Sequence, residues 1–179
     1  MRLLAHLVAF ATSGLIVGAT LIAQDHDMMP RPAPEHAHLK LRAGTWDGDV
    51  RIKMGPQEIT QKDTMTYAML GDFWVIGDYE GHYMGMPFKG HELSGWDPET
   101  RQYVSYWVDS GSAEVSVTHG TWDDASKTMT MSGQGKDMMT GKPVTMVKKI
   151  REDGPDKMVM TMGNEGAEPM MEITYTRRK

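Results

Sequence analysis

The chain has no cysteine. That excludes disulfides, thiolate-bound zinc, iron–sulfur clusters and cysteine nucleophiles. Leucine is scarce too: beyond residue 23 only Leu39, Leu41, Leu70 and Leu93 occur. Positive charge is in short supply, with 19 Lys and Arg against 24 Asp and Glu, a formal net charge of −5. Nucleic acids and anionic membrane surfaces both call for a basic face, so neither is an expected partner.

What is present begins with a targeting pattern. Arg2 supplies a positive start, and Leu3 to Ala23 is almost wholly apolar before Gln24-Asp25-His26-Asp27 ends the run. This is the layout of a secretory signal peptide, with Ala23 as the expected cleavage point. An uncleaved anchor is the alternative, since about 20 apolar residues can span a bilayer. The expected location is periplasmic or secreted, with no membrane attachment once residues 1–23 are removed. Loss of Arg2 takes the formal charge from −5 to −6. Residues 24–33 read as a flexible, proline-rich leader, and residues 34–179 as a single domain.

Methionine takes the place leucine leaves: there are 18 in 179 residues. Thioethers act as flexible core filler, as soft-metal ligands, or as oxidant scavengers. Core filling is the plainest reading.

From Pro34 a short helix is expected over Glu35–Arg42, ended by Gly44. His26, His36 and His38 read as surface residues, because residues two apart on a helix point to different sides. From Thr45 the apolar period becomes two and stays so. Ten strands follow, near 45–54, 58–69, 73–84, 88–96, 102–109, 114–122, 128–133, 143–151, 157–162 and 170–177. Turns such as Gly55-Pro56, Asp97-Pro98-Glu99-Thr100 and Asp153-Gly154-Pro155 join them. Short strands at regular spacing with short connections predict an all-β fold: an antiparallel up-and-down barrel of about ten strands with a short N-terminal helix. Its bore would hold one small ligand or a row of side chains.

Gly44-Thr45-Trp46 after a short helix resembles the entry of lipocalins and other calycins, where such a tryptophan lies across the closed barrel end. A longer resemblance runs through Pro34-Glu35-His36, Gly81-His-Tyr-Met-Gly-Met-Pro-Phe-Lys-Gly90, Gly95-Trp96-Asp97 and Tyr103-Val-Ser-Tyr-Trp107-Val-Asp109. It continues through Gly120-Thr-Trp122-Asp123, Thr140-Gly-Lys-Pro143 and Met171-Glu-Ile-Thr-Tyr175-Thr-Arg177. On these residues the chain is identified as a member of the domain of unknown function 1579 family. The resemblance implies a calycin-like barrel and no particular activity. Arg42 departs from it, standing where a leucine is expected two residues before the glycine.

Catalytic patterns are near misses. Gly135 to Lys142 imitates a phosphate loop but has five residues between its glycines and Pro143 in place of the hydroxyl; His91-Glu92 lacks the second histidine of a zinc-protease helix. No cofactor is expected. Tyr103, Ser105, Trp107 and Asp109 share one face of the fifth strand. With Trp46, His91 and His119 they are the candidate lining for a small, partly apolar ligand. His82, Met84 and Met86 form a second candidate, a Cu(I) site, if all three point one way. A third reading makes His119 and Asp109 the acid–base pair of a hydrolase or isomerase.

Overall fold

The computed structural model describes residues 30–137 and 140–179. The signal segment and most of the leader, His26 included, lie outside the described residues. One compact unit runs from Pro32 to Lys179. In it, helix α1 (His36–Arg42) precedes ten strands. These are β1 (Gly44–Met54), β2 (Gln57–Leu70), β3 (Trp74–Tyr83), β4 (Met86–Asp97) and β5 (Gln102–Asp109). Then come β6 (Ser116–Asp123), β7 (Thr128–Lys136), β8 (Pro143–Glu152), β9 (Lys157–Asn164) and β10 (Met171–Arg177). Each strand pairs antiparallel with its neighbour in sequence, and β10 closes on β1 through Trp46↔Arg177 to Ile52↔Met171. Closure leaves no free edge along which the sheet could pair with another chain. The expected ten-stranded up-and-down barrel is the observed one.

Alternation sets which side chains fill the bore. Trp46, Val50 and Ile52 of β1 point in, while Asp47, Asp49 and Arg51 point out. Met65 and Tyr67 of β2, Met129 and Met131 of β7, and Met158 of β9 are buried in the same core. Met54, Met69, Met160 and Met171 pack around it. Most methionines among the described residues therefore serve as core filler.

The helix plugs one barrel end. Leu39 is fully buried, and the Trp46 indole N–H donates to the carbonyl of Arg42 at 2.8 Å. The Arg177 guanidinium lies 4.1 Å from the Trp46 ring and donates to the carbonyls of Ala43 and Leu41. These contacts satisfy carbonyls that the last helical turn leaves without partners. The calycin-like role read for Trp46, across the closed end, is its observed place. His36 is buried against Phe73, and His38 stacks on Trp122 at 4.0 Å. Neither is the surface residue that helix spacing suggested, because the helix sinks into the barrel mouth.

Gly120 shows how close the strands lie. A Cβ there would sit 1.9 Å from the Thr130 carbonyl oxygen and 2.6 Å from Met131 Cα. Backbone cannot yield as a flexible side chain can. Gly120→Ala is expected to cost about 2–3 kcal/mol in urea unfolding, an overpacking penalty. Gly135→Ala meets only the flexible Met146 side chain and is expected to cost about 1 kcal/mol or less.

Candidate functional site

The bore is occupied by charge. Glu92 on β4 is 4 % exposed, and Arg42, at the end of α1, is 2 % exposed. Arg42 Nη1 lies 3.7 Å from Glu92 Oε1, and Lys148 Nζ, from β8, lies 3.5 Å from the same oxygen. The Ser94 and Ser105 hydroxyls donate to it at 2.5 and 3.1 Å, and the Tyr67 hydroxyl donates to Oε2 at 3.4 Å. Burial alone would raise the Glu92 pKa. Lys148, Arg42 and the two serine hydroxyls reverse that and hold it at about 2. Arg42 Nη2 donates to the Met129 sulfur at 2.9 Å, and its Nε has no partner among the described residues. Arg42 is thus the cation that brings the helix to the central carboxylate.

Asp63 on β2 is buried as well, without such compensation. Neither carboxylate oxygen completes a hydrogen bond among the described residues, although the Tyr79 hydroxyl is close by. Burial raises its pKa to about 6.

Beside this plug lies a cleft of about 360 Å3, bounded by α1 and by the β6–β7 and β8–β9 turns. Leu41, Trp46, Trp122 and Met158 give it apolar walls; His38, Asp124, Lys127 and Glu152 supply polar groups. The indole N–H of Trp122 donates to Asp124 at 2.8 Å, which fixes the ring that stacks on His38. His38 Nδ1 is buried with no partner among the described residues. Burial raises the Glu152 pKa, opposed in part by His38, Arg42 and Lys127. The cleft thus combines two aromatic walls with an unsatisfied ring nitrogen and a carboxyl biased toward its neutral form. A second, wider groove of about 660 Å3 crosses the outside of β1 to β4. Its exposed charges are paired, Asp47 with Arg178, Lys62 with Asp49, and Glu80 with Lys89, and Asp63 also lines it.

The residues singled out from sequence scatter. Tyr103, Ser105, Trp107 and Asp109 do share the inward face of β5. Tyr103 is packed, its hydroxyl donating to the Glu35 carbonyl at 2.8 Å, and burial raises its pKa to about 12. Trp107 donates to Asp109 at 2.8 Å, and Asp109 also accepts the Gly111 N–H at 2.9 Å, which ties it into the turn. His119 faces outward, opposite Val104 on β5. It therefore cannot pair with the inward Asp109 as acid and base. His91 is also outside, 2.5 Å from Asp78. The copper triplet separates. The two-residue turn is Met84-Gly85, both at positive φ, with Tyr83 paired to Met86 and His82 to Pro87. His82 and Met86 consequently lie on opposite faces, with Met84 exposed at the tip. Of the predicted lining residues, Trp46 alone borders the helix-end cleft.

The two buried carboxylates predict opposite pH behaviour. Glu92 is depressed from 4.5 to about 2, so its contribution to stability is present above pH 4.5 and is lost as pH falls toward 2. Glu92→Gln strands Arg42 and Lys148 and is expected to cost about 3–5 kcal/mol at pH 7. The cost should shrink in acid. Asp63 is raised from 3.8 to about 6, so the fold holds a proton that the unfolded chain releases, and stability falls as pH rises through that window. Asp63→Asn should leave stability unchanged at pH 4 and raise it at pH 8, by up to about 3 kcal/mol. Urea melts of both variants across pH measure these trends.

No curated protein matches the chain. Among solved structures, a crystal structure of Rv2717c from M. tuberculosis is similar, with a TM-score of 0.61 at 15% identity, covering 83% of this chain and 100% of that one. At that identity the likeness concerns the fold alone. A redesigned β-barrel, b11L5F_LGL, aligns with a TM-score of 0.42 at 13% identity, covering 78% and 94% of the two chains. Residues 31–177 match the family described as Protein of unknown function (DUF1579). The chain, a closed ten-stranded antiparallel barrel with its helix plug, belongs to that family.

Proposed function

We propose that the protein is exported and binds a small, partly apolar molecule in the helix-end cleft. One observation carries this reading: His38 Nδ1 is buried without a partner among the described residues, in the wall of a cleft that also holds Trp122 and Glu152. An unsatisfied buried ring nitrogen costs free energy unless something pairs with it. A cleft with aromatic walls and a few polar groups is the common form of a small-molecule site, and about 360 Å3 is in the usual range. The ligand that fits has an apolar or aromatic body to lie against Trp122 and Met158, and a polar atom for His38 or Glu152. The expected binding residues therefore move from the bore, which Arg42, Glu92 and Lys148 fill, to its rim. Export rests on the positive start, apolar run and small residues of positions 1–23.

Native mass spectrometry of protein purified from its own host tests both parts. The polypeptide mass should correspond to a chain starting at Gln24. A fraction should carry extra non-protein mass, which Trp122→Ala and His38→Ala reduce at least several-fold in protein whose circular dichroism shows the barrel still folded. Wild-type protein that never carries such mass, or variants that retain it in full, would rule the cleft out as the binding site.

A further inference from the structure

A carboxylate shut inside a barrel needs partners, and Glu92 shows how many: two cations and three hydroxyls surround it. Asp63, on the inward face of β2 and 6 % exposed, is given no such set. Both its oxygens are buried and lack a hydrogen bond among the described residues. Burial is the largest influence on it, the nearby Tyr79 hydroxyl offsets only part of that, and Asp49 adds repulsion. Room is made for it all the same. Gly48 is its cross-strand partner on β1, and Gly81 stands beside it on β3. A Cβ at Gly48 would sit 1.7 Å from Asp63 Oδ1, and one at Gly81 would sit 2.9 Å from Asp63 Cβ. Two side chains are given up for a carboxylate that the chain does not neutralise.

The wall beside Asp63 is also where backbone pairing gives out. The β2–β3 ladder runs from Leu70↔Trp74 to Thr64↔Glu80 and stops. β2 continues along β1 to Gln57, and β3 continues along β4 to Tyr83. Past the last pair a side chain crosses the seam, the Gln61 amide donating to the His82 carbonyl. A seam held by a side chain parts without breaking the ladders on either side of it. The groove of about 660 Å3 lies over this seam. Asp63, Gly81 and Phe88 line it from the inward faces of β2, β3 and β4, and His82 and Pro87 from the outer side.

We propose that this seam admits an organic cation, a primary ammonium on an apolar body, whose head pairs with Asp63 while the body lies in the groove against Phe88 and Pro87. A cation replaces the hydration that burial took from the carboxylate. An ammonium brings three N–H donors, enough for both unpaired oxygens. Aromatic rings stand beside the carboxylate, the usual company of a bound ammonium. Tyr175 Cε1 lies 2.8 Å from where a Gly48 Cβ would be, and Tyr79 Cε1 lies 3.0 Å from where a Gly81 Cβ would be. Tyr79 is held in turn by edge contacts to Phe88 and Trp107, each at 5.9 Å. A metal ion fits less well, since no three His, Asp or Glu side chains converge to hold one among the described residues. The site is separate from the helix-end cleft.

Calorimetric titration of the purified protein with hexylammonium chloride tests this at pH 8, where Asp63 is ionised. Hexanol and hexanoate, of equal chain length, are the controls. Hexylammonium is expected to bind at least about tenfold more tightly than either, and Asp63→Asn to weaken it by about tenfold or more, in protein that circular dichroism shows folded. Trp122→Ala, which alters the helix-end cleft, should leave hexylammonium binding unchanged. Wild type that takes up hexylammonium no better than hexanol, or Asp63→Asn that binds it in full, overturns the proposal. Loss of binding in Trp122→Ala with retention in Asp63→Asn also overturns it and assigns the cation to the helix-end cleft.

Discussion

The barrel depends on keeping Glu92 charged inside it. A carboxylate 4 % exposed is stable only if its lost hydration is replaced, and here Arg42, Lys148, Ser94, Ser105 and Tyr67 all contribute. Those partners come from the helix and from β2, β4, β5 and β8, on different sides of the bore. One carboxylate thereby fixes where the helix docks and holds distant parts of the wall in relation to each other. The helix is short, and no side chain caps its N-terminus. Its position follows from Arg42 inside, Leu39 beneath, and Trp46 with Arg177 closing over its last carbonyls.

That arrangement also decides where a ligand can go. A barrel of ten strands has room for a small molecule or for side chains along its axis. Here the middle is taken by an ion cluster, with tyrosines and methionines around it. Accessible space lined by aromatic rings and polar groups lies at the rim, where the plug leaves His38 and Glu152 beside Trp122. Methionine fits this design, since its unbranched side chain fills the irregular gaps that fixed ionic geometry leaves.

Strand count was readable from the sequence, and β5 was read at Gln102–Asp109 to the residue, while β7, read as 128–133, runs on to Lys136 and β4, read from 88, starts at Met86. A period of two, broken by Gly, Pro and Asp at turns, is local information, and hairpin connection follows from short loops. The facing of each strand was readable only where one face is clearly apolar. In β1, Trp46, Val50 and Ile52 against Asp47, Asp49 and Arg51 leave no choice. In β6, Ser116, Thr118 and Gly120 alternate with Val117, His119 and Thr121, and neither set declares itself the core. His119 was assigned inward for that reason and faces out. The His82–Met86 spacing misled because the Met84-Gly85 turn falls between them and the alternation restarts after it.

The sequence by itself determined the class of fold, the strand order and the use of methionine as filler. Each follows from side-chain periodicity or composition within a few tens of residues. Tertiary structure alone decided the site. Arg42, Glu92 and Lys148 are far apart in sequence, and His38 meets Trp122 and Glu152 only when the helix enters the closed end. The end of the β2–β3 ladder beside Asp63 likewise exists only once the strand registers are set. Register and closure are long-range properties, and pairing between distant strands, not local pattern, creates them.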